Sequence, residues 1–138
     1  MKGVRGFTLI EMLVVLTVLG LLAALVGPQI VGHVSEAKTT TARTQIDLLG
    51  VALDSYRLDN GGYPTTEQGL AALRDRPTRE PVPSNWRGPY LRKAVPVDPW
   101  GHPYLYREAP GGAAFELQTL GRDGKPGGAG EDADISGG

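Results

Sequence analysis

Twenty consecutive residues, Phe7 to Val26 (FTLIEMLVVLTVLGLLAALV), carry a single ionisable side chain, Glu11. As a helix rising about 1.5 Å per residue they cover roughly 30 Å, enough to cross the hydrocarbon core of a bilayer. An acid at the centre of such a span costs about 2.5 to 3.5 kcal/mol on translocon scales, so even near one end Glu11 calls for compensation. Two ordinary explanations exist. A secretory signal also joins a basic start to an apolar stretch, but Val26-Gly27-Pro28-Gln29 is a poor small-residue cleavage site and an acid weakens the apolar region. Alternatively, a carboxylate in the first turn of a helix is favoured by the helix dipole.

Charge around the span sets its direction. Lys2 and Arg5 precede it, and apart from Glu11 no charge follows until Glu36. By the positive-inside rule the N-terminus is cytoplasmic and the bulk of the protein lies outside. The 138 residues have a formal charge of −1 and no basic tail or dense basic patch, which argues against nucleic acid as a main partner. With no cysteine there is no disulfide and no Cys-based metal or redox site. A globular part of about 80 residues has a limited core and often needs another staple or a lattice of neighbours.

Beyond Val26 the helix is expected to continue, with Gly27-Pro28 producing a kink or local melting. Ala42, Ile46, Leu49, Leu53 and Tyr56 recur at spacings of four, three, four and three, the stripe of an amphipathic helix. The opposite surface carries Lys38, Arg43, Asp47, Asp54 and Arg57, a solvated or subunit-facing side. Asn60-Gly61-Gly62 stops the helix. A helix from Phe7 to Leu58 spans roughly 80 Å, more than a compact domain of this size can bury, so its first half requires membrane or other subunits.

Thr65 and Gln68 have capping-box spacing at the start of a short second helix, whose Leu70 and Leu73 are expected to face the stem. Glu67 has no partner acid or nucleophile close in sequence and reads as part of a packing element. From Arg76 to Pro103, prolines alternate with Trp86, Tyr90 and Trp100, a composition that suits a rigid irregular loop pinned by large side chains. A sugar-binding platform built on the two tryptophans is the less favoured reading. His33 and His102 lack ligand sets of their own, so neither supports zinc. Pro103 to Arg107 and Ala114 to Thr119 read as two strands joined at Pro110-Gly111-Gly112, an antiparallel hairpin packed against the stem. The fold class is α+β with a long N-terminal helix.

The segment Leu120 to Ile135 (LGRDGKPGGAGEDADI) combines glycines with the acids Asp123, Glu131, Asp132 and Asp134. Glycines let carbonyl oxygens converge and carboxylates supply the hard oxygen charge that Ca²⁺ prefers, although a flexible acidic tail has a similar composition.

The start GFTLIE resembles the class III signal of type IV pilin-like proteins. NGGYPTTEQGL, then WRGPYL with VPVDPWGHPYLY, then LGRDGKPGGAGEDADI occur in the order seen in major pseudopilins of type II secretion systems, and together these motifs cover nearly the whole chain. The resemblance implies the type IV pilin-like fold, a leader of residues 1–6, cleavage between Gly6 and Phe7, methylation of the Phe7 amine, and pairing of Glu11 with that amine on a neighbouring subunit. It implies residues 7–26 as filament core, 27–60 as stem and 61–138 as a periplasmic head. It also implies a structural calcium ion in the loop 120–135, with Asp123 and Asp132 as ligands, joined by backbone oxygens of Leu120, Lys125 and Gly130 and by the side chain of Asp134. The implied partners are copies of the chain itself, minor pseudopilins, the prepilin peptidase, the inner-membrane assembly platform and the secretin channel, with ATP chemistry left to a separate cytoplasmic motor. The family pattern continues after Asp-Ala-Asp-Ile to Asn-Trp, where this chain has Ser136-Gly137-Gly138, so any packing by that aromatic is missing.

The expected role is therefore that of a structural subunit rather than an enzyme, at the inner membrane and in a periplasmic pseudopilus. Alternatives are a type IV pilin for adhesion, motility or DNA uptake, disfavoured by the missing cysteine pair, and a minor pseudopilin. An anchored enzyme requires a pocket of convergent polar groups, which these residues do not assemble.

Overall fold

The computed structural model describes residues 3–138, so Lys2 of the expected leader lies outside the described residues. A long helix α1 covers Leu9–Asn60, a 3-10 turn covers Leu70–Leu73, and three strands follow: β1 (Leu105–Glu108), β2 (Phe115–Thr119) and β3 (Ile135–Gly137). A second 3-10 turn, Gly130–Asp132, precedes β3. The chain divides into two compact units, one ending at Glu36 and one of Ala37–Gly138.

In the first unit the helix is apolar all round, and none of its 18-residue apolar window is buried. Leu16 and Leu21 are each 68% exposed. Thr17 satisfies its hydroxyl within the helix, donating to the Leu13 carbonyl at 2.8 Å. Helical structure continues through Gly27 and Pro28, so the local melting expected there does not occur. Proline has no N–H, which removes one bond from the ladder and leaves those of neighbouring turns in place.

In the second unit the stripe behaves as its spacing requires. Ala42, Ile46, Leu49, Leu53 and Tyr56 are buried, joined by Ala52 on the same face. Leu70, Ala72 and Leu73 from the 3-10 turn, with Tyr104, Leu117 and Ile135, complete one core. The capping box forms: the Thr65 N–H donates to Gln68 Oε1 at 3.0 Å and the Gln68 N–H to Thr65 Oγ1 at 3.2 Å. What it starts is a turn leading into the single 3-10 turn, not a longer helix. The charged side of the stem is not simply solvated. Tyr63 donates to Asp54 at 2.8 Å, while the Arg57 guanidinium lies over the Tyr63 ring and donates to the Ala113 carbonyl at 3.2 Å.

The sheet has order β1-β2-β3 and is antiparallel throughout, with Tyr106 opposite Leu117 and Thr119 opposite Ile135. Alternation on β2 turns Leu117 and Thr119 inward and leaves Glu116 exposed. The expected hairpin is thus present, and the chain end adds a strand that its sequence did not announce. β3 lies so close to α1 that a Cβ at Gly137 would stand 2.5 Å from Ile46 Cγ2. Backbone pairing with β2 anchors Ile135–Gly137, so the missing terminal aromatic does not leave this segment unanchored.

The tryptophans act as anchors. Trp86 Nε1 donates to the Ala72 carbonyl at 2.9 Å, and its ring meets Tyr90 edge-on with centroids 5.8 Å apart. Tyr90 in turn meets Tyr56 edge-on and donates its hydroxyl to Asp59 at 2.8 Å. Trp100 Nε1 reaches Glu131 Oε1 at 3.3 Å, tying the proline-rich segment to the C-terminal loop.

Candidate functional site

Two places in the chain carry the expected functional residues, one in each unit. At the first, residues 3–8 have no regular secondary structure, and Gly6 and Phe7 are exposed. Thr8 then caps α1. Its carbonyl accepts from the Met12 N–H at 3.2 Å and its hydroxyl from the Glu11 N–H at 3.2 Å. Glu11 answers by accepting from the Thr8 N–H at 2.8 Å and the Thr8 hydroxyl at 2.9 Å. This is a capping box, and it gives the lone acid of the apolar run a local partner. Both donors meet Oε2, and among the described residues no donor reaches Oε1. Within the chain Glu11 is therefore a first-turn acid bonded through one of its two oxygens.

The second place is the loop from Leu120 to Ile135. It departs from β2 at Gly121, whose φ of 72° lies in the left-handed region. A Cβ there would stand 2.5 Å from the Glu131 carbonyl oxygen and 2.9 Å from that of Ala133, so the returning backbone fills the space. Gly128, also at positive φ, lies as close to the Asp132 carbonyl. These two glycines let both sides of the loop meet.

The loop's acids have distinct partners. Asp123 Oδ1 accepts from the Lys125 N–H at 3.0 Å, and Asp134 Oδ2 from the Gly127 N–H at 3.0 Å. Asp132 is gripped by Arg122, with Nε on Oδ1 at 2.9 Å and a terminal nitrogen on Oδ2 at 3.0 Å. The other terminal nitrogen of Arg122 reaches Glu131 at 3.2 Å. Its hydrogen bonds to Asp132 and the charge of that carboxylate raise the guanidinium pKa above its ordinary value. Among the described residues no three acids or histidines converge as a metal cluster. A hard cation held here would depend on backbone carbonyl oxygens as well as carboxylates. The donor types suit such an ion: among the described residues Asp123 and Asp134 each keep one carboxylate oxygen off any donor, and a positive group already stands on Asp132.

Beneath the loop lies a buried acid that sequence reasoning missed. Asp98, 3% exposed, accepts from the N–H groups of Trp100 at 3.0 Å and His102 at 2.8 Å, and from the Thr119 hydroxyl. Thr119 Oγ1 also accepts from the Gly121 N–H at 3.2 Å, and His102 Nδ1 lies 3.1 Å from the Gly121 carbonyl. The only hint in the sequence is Asp98-Pro99 followed by Trp100-Gly101, a turn pattern in which an aspartate often accepts from backbone two residues on. His102 thus serves the loop's base, whereas His33 and Glu67 are exposed.

The family described as type II secretion system (T2SS), protein G, matches residues 29–138, and the prokaryotic N-terminal methylation motif matches residues 1–27. The chain belongs to the type II secretion protein G family. It is 51% identical over 130 residues to the type II secretion system core protein G of Pseudomonas aeruginosa, covering 94% of this chain and 92% of that protein. With the core protein G of Vibrio cholerae it shares 46% over 136 residues, covering 98% and 92%. A solved structure, the major pseudopilin from the type 2 secretion system of enterohaemorrhagic Escherichia coli, matches with a TM-score of 0.64 and 39% identity, over 77% of this chain and 90% of that one. As a protein G family member the chain has the role of a major pseudopilin, a structural subunit of type II secretion, and not that of an adhesive or motility pilin.

Proposed function

We propose that the chain is made as a precursor, cut between Gly6 and Phe7 by the prepilin peptidase, methylated on the Phe7 amine, and polymerised from the inner membrane into a periplasmic pseudopilus. Polymerisation drives folded proteins through the secretin channel, with minor pseudopilins and the assembly platform as partners. The observation that carries this reading is the helical window whose apolar side chains are wholly unburied by their own chain. Such a surface is stable in lipid before assembly and among identical helices after it. Support also comes from the exposed, irregular segment around Gly6, which leaves its backbone accessible to a peptidase.

Glu11 links the two states. Its Oε2 is satisfied by Thr8 and its Oε1 is free to accept the Phe7 amine of a neighbouring subunit. Intact-mass analysis of membrane-extracted protein should show loss of residues 1–6 and gain of one methyl group. In Glu11→Ala, monomer should remain at normal abundance in the membrane while crosslinked pseudopilus ladders and secretion disappear. Normal ladders in that variant would remove Glu11 from assembly.

Calcium belongs to the same proposal. Asp123, Asp132 and Asp134, with backbone oxygens of Leu120, Lys125 and Gly130, would hold it. The ion would supply positive charge that joins the two sides of an acidic loop. The chain's own residues prepare for this: Gly121 and Gly128 bring the strands of the loop together, and the Lys125 and Gly127 N–H groups orient Asp123 and Asp134. A ligand present at a hundredfold excess over its Kd stabilises the folded state by about 2.7 kcal/mol. The melting temperature should accordingly rise with calcium over chelator in the wild type, and Asp123→Ala and Asp132→Ala should blunt the rise. A wild-type melting temperature indifferent to calcium would reduce the loop to a solvated acidic turn.

A further inference from the structure

Arg122 occupies an unusual place in this loop. Its guanidinium faces both oxygens of Asp132 in a fork, at 2.9 and 3.0 Å, and its remaining terminal nitrogen reaches Glu131 at 3.2 Å. Its backbone N–H donates to the Glu131 carbonyl at 2.8 Å, so side chain and main chain dock on the same turn. The acids beside it are partly sheltered, with side-chain exposures of 18% for Glu131 and 30% for Asp132. Asp123 and Asp134 are placed differently. Each spends one oxygen on a backbone N–H, and among the described residues the other meets no donor.

We infer that Arg122 is the loop's resident cation, closing it without metal and competing directly with a divalent ion for Asp132. The inference rests on the calcium reading above and adds what that reading lacks, a residue that sets how tightly the ion is held. A bidentate guanidinium takes the two in-plane positions from which a carboxylate also chelates a hard cation. Asp132 therefore accepts the ion only as the fork lets go, and one cation is exchanged for another. Asp123 and Asp134 need no such exchange, because an N–H on one oxygen leaves the other open. The loop consequently has two closed forms, one on Arg122 and one on metal, and the difference between their stabilities appears as a weakened affinity.

The test is a calcium titration of the full chain in detergent micelles, by chelator competition starting from the calcium-loaded protein, so that it does not depend on a folded metal-free state. Emission of Trp100, whose indole N–H contacts Glu131, gives a second readout at the loop. An exposed ion pair shifts a competing equilibrium by up to roughly fivefold, so Arg122→Gln should bind calcium up to roughly fivefold more tightly than wild type. Arg122→Lys, which keeps the charge and loses the fork, should fall between them. Lys93→Gln removes the same charge from an exposed side chain outside the loop and should change affinity by less than about twofold. Without metal, Arg122→Gln should melt lower than wild type and gain more from calcium. Equal affinities in wild type and Arg122→Gln overturn the competition while leaving the calcium reading intact. An equal gain in Arg122→Gln and Lys93→Gln also overturns it, by reducing the effect to net charge. Absence of calcium binding in every variant overturns the calcium reading itself, and the competition with it.

Discussion

The two stretches of α1, Leu9 to Val34 and Ala42 to Tyr56, are both helical and both rich in apolar residues, yet they solve burial in opposite ways. In the second, apolar residues recur on one stripe, and Leu49 and Leu53 are buried to 1% and 0% exposure by the protein's own sheet and 3-10 turn. In the first, apolar residues occupy every face and none of the window is buried. Fully burying a leucine is worth about 1.5 to 3 kcal/mol, so the second stretch draws its stability from within the chain. The first must draw it from lipid or from other copies. Helix-forming tendency is shared; the angular distribution of polar residues decides whether an apolar helix completes a domain or awaits an assembly.

The largest expected effect tests this division directly. Leu53→Ala should lower the stability of the unit Ala37–Gly138 by about 2 to 5 kcal/mol, through lost transfer energy and a cavity. Leu16→Ala, on a side chain 68% exposed, should leave that stability unchanged in denaturant melts followed by tryptophan emission. A loss from Leu16→Ala matching that from Leu53→Ala would dissolve the comparison.

A smaller effect separates the two stretches by their polar groups. Asp98→Ala leaves the Trp100 and His102 N–H groups and the Thr119 hydroxyl without their buried acceptor, and should cost about 1 to 3 kcal/mol. Proteolysis should then begin near Gly121, whose N–H shares Thr119. Thr17→Ala removes only a hydroxyl bonded to its own helix and should leave the melt of the second unit where it was. Cleavage elsewhere first would show that Asp98 does not hold the loop's base.

What could be read from residues alone follows the same line. The stripe from Ala42 to Tyr56, the Thr65/Gln68 capping box and the turn at Pro110-Gly111-Gly112 were legible because each is a local pattern with one geometric solution. The third strand was not. Ile135, Ser136 and Gly137 have no alternation to speak of, and their pairing depends on β2, some twenty residues earlier in the chain. Asp98 was illegible for a related reason: of its three donors one comes from Thr119, which only the fold brings close. At Pro28 the local rule allowed a kink or local melting, and the melting does not occur because one missing N–H leaves the helix's other bonds in place. In the C-terminal loop composition revealed hard oxygen ligands, while the pairing of Arg122 with Asp132 across ten residues appeared only in three dimensions.

The smallest effect sharpens the comparison through pH. All five tyrosines lie at Tyr56 or beyond, so the first stretch has no phenol to titrate. Tyr104 donates to Gln45 Oε1 at 2.5 Å across the core, and burial, aided by the negative charge of Asp98, pushes its pKa up to about 12. Burial also raises Tyr56, Tyr90 and Tyr106. An unfolded tyrosine ionises near pH 10, so below that value both states hold the proton and the folded state keeps its full advantage. As pH rises from about 10 through about 12, the unfolded state releases protons that the folded state retains, and stability falls. Alkaline titration should therefore unfold the region around the sheet while the helical signal of the apolar stretch persists in micelles. Phenolate absorbance should rise together with loss of tryptophan signal, and Tyr104→Phe should flatten the part of the slope owed to that residue. Phenolate absorbance climbing near pH 10 ahead of any unfolding would place these rings in water and remove the buried contact between Tyr104 and Gln45.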